Sequence, residues 1–168
     1  MRRNSKSNVE NEEIQEVVAS REMCYYSFDT LIHALQQPNR SINSNRGNEL
    51  KAEFVKELSD PSVQCPLFIT WEKCTSDALD WQLRGCIGCL KPRPLATDVG
   101  EYAVISAFRD RRFNPVSLEE VQSLRVSVSL LVHYEDCEHV YDWTIGVHGI
   151  MIIFSVDGNI FDGTFLPE

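Results

Sequence analysis

Apolar residues recur at helical spacing near the start of the chain, which predicts a long first helix. Residues three or four positions apart share one side of a helix, so this pattern predicts an amphipathic helix that ends before Pro38. Its apolar positions are Ile14, Val17, Val18, Cys24, Phe28, Leu31, Ile32 and Leu35. The polar composition of residues 39–48 predicts a loop, and the pattern leaves room for a short helix over 49–58.

In the middle of the chain the pattern changes to that of strands. Residues 67–71 form a short apolar run that predicts a buried strand, and residues 81–90 predict a second strand after a polar loop over 73–80. The two strands are expected to pair as a hairpin. Valine and leucine alternate with serine over 126–132, which predicts a half-buried strand.

Two capping-box patterns predict the starts of further helices. Asp98 is followed by Glu101, and the helix that they begin is expected to run to about Phe108. Ser117 is followed by Glu120, which predicts a short helix that ends shortly before the strand over 126–132.

The C-terminal part of the chain predicts three more strands, over 142–147, 149–156 and 159–165. Asp157 and Gly158 separate the last two, and this dipeptide is typical of a tight hairpin turn. Helices and strands follow one another without a regular alternation. We therefore expect an α+β fold, a mostly antiparallel sheet with flanking helices.

Charge and composition exclude several classes of protein. The chain has 168 residues and a net charge of −9, which argues against general affinity for nucleic acid or acidic membranes. Residues 84–112 differ, because six Arg and Lys outnumber three Asp and Glu there and leave −12 for the rest of the chain. No apolar run approaches the roughly 18 residues of a membrane span. The N-terminus lacks the apolar core of a secretory signal. The six cysteines are therefore expected to be reduced thiols, in the cytoplasm or the nucleus.

The hexapeptide Leu-Arg-Gly-Cys-Ile-Gly over 83–88 is the strongest candidate site. Strand alternation predicts that Arg84, Cys86 and Gly88 share one face and that Ile87 faces the core. Arg84 lies two residues before Cys86, and its guanidinium would favour the thiolate of Cys86. Glycine allows another group to come close to the backbone.

This hexapeptide resembles the signature of the AMMECR family, and further blocks resemble that family in the same order. The blocks are 23–29, 66–71, 107–115, 128–131, 146–150 and 163–167. The resemblance implies an AMMECR-like domain over 14–168 that lacks its C-terminal portion. The polar composition of the chain before it predicts a disordered tail over 1–13. The resemblance also implies a surface insertion loop over 39–65. An intracellular role, regulatory and nuclear or cytosolic, is what the resemblance favours.

Several residues have both a structural and a functional interpretation. Cys86 and Cys89 form a Cys-x-x-Cys pattern, but prolines follow it and a second ligand pair is weak, so we expect neither a redox pair nor a metal, and no cofactor. Cys86 is either a small structural thiol or a nucleophile with His148 or His133 as its base. Arg112 is either the ion-pair partner of Asp110 or a ligand contact.

Two functions therefore remain open. The first is a regulatory or binding module that captures an anionic small molecule or a partner segment in a groove at the hairpin. The residues assigned to that groove are Arg84, Gly85, Cys86, Gly88, Arg112 and His148. The second is a thiol-dependent enzyme in nucleotide or RNA modification, with Cys86 as its catalytic residue.

Overall fold

The computed structural model describes residues 17–37, 60, 62–75 and 80–166. The predicted tail over 1–13, the loop over 39–48 and the helix over 49–58 lie outside these residues. The described elements are, in chain order, α1 (Arg21–Gln36), β1 (Gln64–Thr75), β2 (Asp80–Pro94), α2 (Leu95–Phe108), a 3-10 helix (Leu118–Ser123), β3 (Leu124–Leu130), β4 (Ile150–Val156) and β5 (Asn159–Phe165).

The described strands form two antiparallel sheets, each in its own compact unit. The first unit ends at Val132 and contains a three-stranded sheet in the order β2–β1–β3. The second unit begins at His133 and contains the hairpin of β4 and β5. This confirms the α+β fold with antiparallel pairing and flanking helices. The single domain predicted over 14–168 stays a prediction.

The core of the first unit lies between one face of the sheet and the two helices. Alternate residues of the central strand β1 point into it, because side chains of a strand alternate between its faces. The buried residues on that face are Cys65, Leu67, Ile69 and Trp71. The Trp71 indole N–H donates to the carbonyl of Ala103 in α2 at 2.9 Å, and its ring meets Phe28 of α1 edge to face. The core therefore fixes both helices against β1.

The predicted hairpin of β1 and β2 is confirmed, and both strands are longer than predicted. β1 runs on to Thr75 and β2 starts at Asp80, so most of the loop predicted over 73–80 is strand where it is described. β1 also begins inside the insertion loop predicted over 39–65, since Gln64 and Cys65 already pair with Pro94 and Arg93.

Two helix starts differ from the prediction. Residues 17–20 are not helical, and α1 begins at Arg21. The capping box at Asp98 is wrong, because α2 follows β2 directly and begins at Leu95. The buried carboxylate of Asp98 binds the Arg93 guanidinium at 2.9 Å, so it serves a tertiary contact and does not cap the helix. The capping box of Ser117 and Glu120 is confirmed at the 3-10 helix.

In the second unit, two of the three predicted strands are present. The strand predicted over 142–147 is wrong, because that stretch forms turns. The Thr144 carbonyl accepts hydrogen bonds from the N–H groups of Val147 and His148, which closes the turns locally. The predicted hairpin turn is confirmed, with Asp157 and Gly158 both at positive φ, 50° and 80°. Phe154 and Phe161 stack across β4 and β5 at 5.5 Å between ring centroids.

Candidate functional site

A bulge in β2 sets the direction of the Arg84 side chain. Gly85 lies opposite Trp71 and Leu83 lies opposite Glu72, so Arg84 is an extra residue without an opposite in β1. A bulge of this kind bends the strand and redirects its side chain. The strict alternation predicted from the sequence therefore stops at Arg84, although it holds from Gly85 to Cys89.

The redirected Arg84 side chain is held inside the protein. Its Nε and Nη2 each donate to the Glu120 carboxylate at 3.0 Å, and Nη1 donates to the carbonyl of Asn114 at 2.8 Å. Nη2 also reaches the carbonyl of Pro115 at 3.4 Å, and the side chain is 13% exposed. Arg84 thus joins β2 to the segment that follows α2, and its three nitrogens are already engaged.

Glu120 is the acceptor at the centre of this arrangement. Besides Arg84, it accepts from the Lys73 ammonium at 2.9 Å and from the Ser117 N–H at 3.0 Å. The hydrogen bonds from Arg84 are the main cause that lowers the pKa of Glu120 to about 2. The carboxylate therefore stays charged over the ordinary pH range, and it links β1, β2 and the 3-10 helix.

The two glycines of the hexapeptide are required by packing. A Cβ on Gly85 would overlap the carbonyl oxygen of Ser106, because α2 crosses β2 at that point. A Cβ on Gly88 would overlap the carbonyl of Leu67 and the side chain of Phe68 in β1. Glycine is thus needed at both positions for close approach within the protein.

The backbone of Cys86 is held from the edge of the sheet by one ion pair. Its N–H donates to the Asp110 carboxylate at 2.9 Å, and its carbonyl accepts from Nη2 of Arg112 at 3.2 Å. Nε of Arg112 donates to Asp110 at 3.0 Å and Nη2 at 2.7 Å. This pairing is the main cause that lowers the pKa of Asp110 to about 2. Asp110 and Arg112 therefore occupy the place that a neighbouring strand would take.

The thiol of Cys86 points away from the helices. Cys86 lies opposite Thr70, whose hydroxyl donates to the sulfur at 3.1 Å, and Thr70 in turn lies opposite Ser127 of β3. A row of one thiol and two hydroxyls therefore crosses the outer face of the sheet. Cys86 is half-buried there.

Cys89 lies on the other face. It is opposite the buried Leu67, as Ile87 is opposite the buried Ile69, so both point towards the core as predicted. Two thiols on opposite faces of one strand do not form the pair that a Cys-x-x-Cys redox site needs. Among the described residues no three His, Cys, Asp or Glu side chains are placed to hold a metal ion, and the expected absence of metal stays a prediction.

Arg112 has one side that faces solvent. Its Nε and Nη2 are bound as described, whereas Nη1 forms no hydrogen bond with any described residue. The side chain is 57% exposed, and the guanidinium lies 5.5 Å from the centre of the Phe113 ring. The structure thus shows the ion pair of Arg112 with Asp110, and the ligand contact stays a prediction.

His148 is described within the second unit. Its Nδ1 accepts from the Thr144 N–H at 2.9 Å, and Nε2 lies 3.8 Å from the Glu135 carboxylate. These contacts are those of a turn histidine, and its predicted role at the hairpin stays a prediction.

Sequence reasoning missed Glu120 and Thr70 as members of this site. The spacing of Ser117 and Glu120 predicts only a helix cap, and nothing in the position of Glu120 points to Arg84, 36 residues away. Thr70 was assigned only to a buried strand. The single available signal was the register of the predicted hairpin, which brings Thr70 and Cys86 together once the pairing is known.

Comparison with known proteins shows which family this chain matches. The sequence model of the AMMECR1 family matches residues 24–168. An uncharacterised protein of Arabidopsis thaliana is 40% identical over 90% of this chain and 64% of its own length. An uncharacterised protein of Schizosaccharomyces pombe is 32% identical over 88% and 69%. The chain thus spans about two thirds of these relatives.

A solved structure has the same fold. The crystal structure of an uncharacterised protein from Pyrococcus horikoshii superposes with a TM-score of 0.64 at 25% identity, over 86% of this chain and 67% of that one. No helix among the described residues has the length and apolar character needed to cross a bilayer.

Proposed function

The chain belongs to the AMMECR1 family, and we propose that it is an intracellular binding module whose contact surface is centred on Cys86 and Arg112. The proposed ligand is anionic, either a small molecule or a segment of a partner protein. We also propose that the role is regulatory, in the cytoplasm or the nucleus.

One observation carries this proposal, namely the way in which Asp110 holds Arg112. Two nitrogens of the guanidinium are fixed, so the third is presented to solvent in a set orientation. A preorganised guanidinium loses less conformational entropy when it binds an anion than a free side chain would. Anions are favoured here because Arg109 and Arg111 are also exposed nearby in sequence.

Within this proposal, Arg84 positions the hairpin and Arg112 contacts the ligand. The half-buried Arg84 donates its hydrogen bonds to Glu120 and two backbone carbonyls. Gly85 and Gly88 support the site by allowing α2 and β1 to come close to β2. The residues named in the hexapeptide thus shape the surface, and the segment after α2 supplies the charge.

Replacing Arg112 by lysine is expected to weaken phosphate binding. A guanidinium can bind Asp110 through two of its nitrogens and still offer the third to an anion. The single nitrogen of a lysine ammonium cannot divide its contacts in this way. We expect the Kd for inorganic phosphate, measured from amide shifts at Cys86 and Arg112 in a heteronuclear NMR titration, to rise about fivefold or more, as loss of a charge-assisted hydrogen bond implies.

Arg125→Lys is the matched control for this measurement. Arg125 binds Glu72 through Nε and Nη2 and is 49% exposed, so it repeats the geometry of Arg112 away from Cys86. This control should leave the Kd unchanged. Equal Kd values for wild-type protein and Arg112→Lys would refute the proposed contact.

A thiol-dependent enzyme in nucleotide or RNA modification is the second candidate, favoured by the hydroxyl of Thr70. The Thr70 hydroxyl donates a hydrogen bond to the sulfur of Cys86 at 3.1 Å and holds this sulfur in position for nucleophilic attack. On this hypothesis iodoacetamide at pH 7 modifies Cys86 faster than the other cysteines, and the isosteric Thr70→Val slows that reaction about threefold or more, as loss of one hydrogen bond implies.

Peptide mass spectrometry of the alkylated protein measures these rates. Modification of Cys86 no faster than the exposed Cys137 would remove the enzyme hypothesis. Faster modification, together with retained phosphate binding in Cys86→Ala, would assign the thiol a chemistry separate from anion capture.

A further inference from the structure

We propose that the outer edge of β2 at Gly88, next to the pair of Asp110 and Arg112, binds the carboxyl terminus of an extended partner peptide. The inference rests on the proposed function, because in both cases Arg112 supplies the contact to the anion. It adds the class of partner and the backbone groups that recognise it.

The backbone of β2 offers hydrogen bonds at this edge. Among the strands that the structure describes, β2 is an outer strand of its sheet, and the N–H and C=O of Cys86 point away from β1, since Asp110 and Arg112 bind them from outside. In an antiparallel pair, residues two apart direct these groups to the same side. Gly88 lies opposite Phe68 without a register shift from Cys86, so its N–H and C=O point to the same outer edge.

Pairing with this edge is blocked at both ends of the stretch around Gly88. The edge therefore fits the end of a peptide better than a strand that continues past it. On one side, Asp110 and Arg112 occupy the position that an added strand would need at Cys86. On the other side, the pairing of β1 and β2 shifts after Cys89, and Pro92 has no N–H to donate. A chain that pairs with Gly88 and approaches Cys86 must therefore stop at Arg112.

The charge at that stop fits a carboxylate. Nη1 of Arg112 binds no described residue, and the Arg112 side chain is 57% exposed. Two further cations, Arg111 and Lys91, are also exposed. The carboxylate of Asp110 is already bound by Arg112 and Cys86. A peptide that runs antiparallel to β2 places its last residue next to Arg112. Addition of a strand at a sheet edge and capture of a terminal carboxylate are both known modes of peptide recognition.

Two short peptides test the proposal on the full chain. The probe is acetyl-Thr-Val-Thr-Val with a free carboxyl terminus, and its match is the same peptide with a C-terminal amide. We expect the amide to bind about tenfold more weakly, as loss of a charge-assisted contact implies. Saturation with the acid should also slow hydrogen exchange of the Gly88 amide about tenfold, since the peptide then accepts from it.

The Cys86 amide is the internal control, because it is already bonded to Asp110 and its exchange should change little. Arg112→Lys should weaken binding of the peptide with the free carboxyl terminus and leave binding of the amidated peptide unchanged. Arg125→Lys should change neither affinity. Equal binding of acid and amide, or unchanged exchange at Gly88 with the acid bound, would overturn this inference.

The outcomes also separate the inference from the proposed function. Phosphate binding that depends on Arg112, without protection of Gly88 by the peptide, would leave the binding module in place and remove the peptide terminus as its ligand. Protection of Gly88 by both peptides, without any dependence on Arg112, would contradict the anion contact that both proposals share.

Discussion

Gly85→Ala is expected to destabilise the first unit by about 3 kcal/mol, because the added methyl group would overlap the carbonyl oxygen of Ser106. That oxygen belongs to the backbone of α2, so no side chain can rotate away to make room. The helix must move off the sheet, and the contact of the Trp71 indole with Ala103 is lost with it. The free energy of unfolding, measured in urea from amide signals of β1 and β2, gives the effect.

Gly163→Ala is the control for this substitution. Gly163 also lies in a strand, but a Cβ there meets its nearest atom at 3.6 Å, which is ordinary contact. Followed through the signals of β4 and β5, it should change the free energy of unfolding by less than about 1 kcal/mol. An equally small change in the free energy of unfolding for Gly85→Ala would contradict the close contact of α2 with β2 at Gly85.

Arg84→Met is expected to cost about 3 kcal/mol of stability at pH 7. The substitution keeps an apolar stem but leaves the largely buried Glu120 with fewer donors, and it leaves the carbonyls of Asn114 and Pro115 unbound. Removal of one partner of a buried ion pair is far more destabilising than loss of an exposed pair. Arg125→Met, which breaks the exposed pair with Glu72, should cost less than about 1 kcal/mol.

The pH dependence of the stability loss in Arg84→Met is expected to identify Glu120 as the cause of that loss. Its pKa in the folded protein is about 2, below its ordinary value of 4.5, so its contribution is complete above 4.5 and is lost as the pH falls through 2. The stability difference between wild-type protein and Arg84→Met should therefore shrink over that window. Arg84→Met/Glu120→Gln should recover part of the loss at pH 7. A difference that is constant from pH 7 to pH 2 would contradict this assignment.

Local sequence patterns determined most of the elements. The apolar run over 67–71 and the alternation over 126–132 predicted β1 and β3, since strand faces have a period of two residues. The turn at Asp157 and Gly158 followed from the positive φ angles that such residues tolerate. Ser117 and Glu120 predicted the 3-10 helix, because a capping box is a contact between near neighbours in sequence.

Local sequence patterns gave wrong predictions for one helix start and for one strand. Asp98 has the spacing of a helix cap, yet Arg93 binds its carboxylate and the helix starts earlier. The stretch over 142–147 has the composition of a strand, but it pairs with none of the described strands, and its hydrogen bonds close turns around Thr144. Propensity is a weak preference, and at Asp98 the ion pair of a buried carboxylate overrides it.

The candidate site divides in the same way. The sequence by itself identified the hexapeptide over 83–88, the family that it resembles and the importance of its glycines, because a signature and a conformational preference are properties of the chain. Only the tertiary structure decided what each arginine does. The bulge turns Arg84 to Glu120, and Asp110 holds Arg112 beside Cys86 with one donor outwards. Glu120 lies 36 residues from Arg84, and Arg112 lies 26 residues from Cys86, so no local spacing encodes these two contacts. Asp110 lies only two residues before Arg112, and their ion pair was one of the two interpretations that the sequence left open.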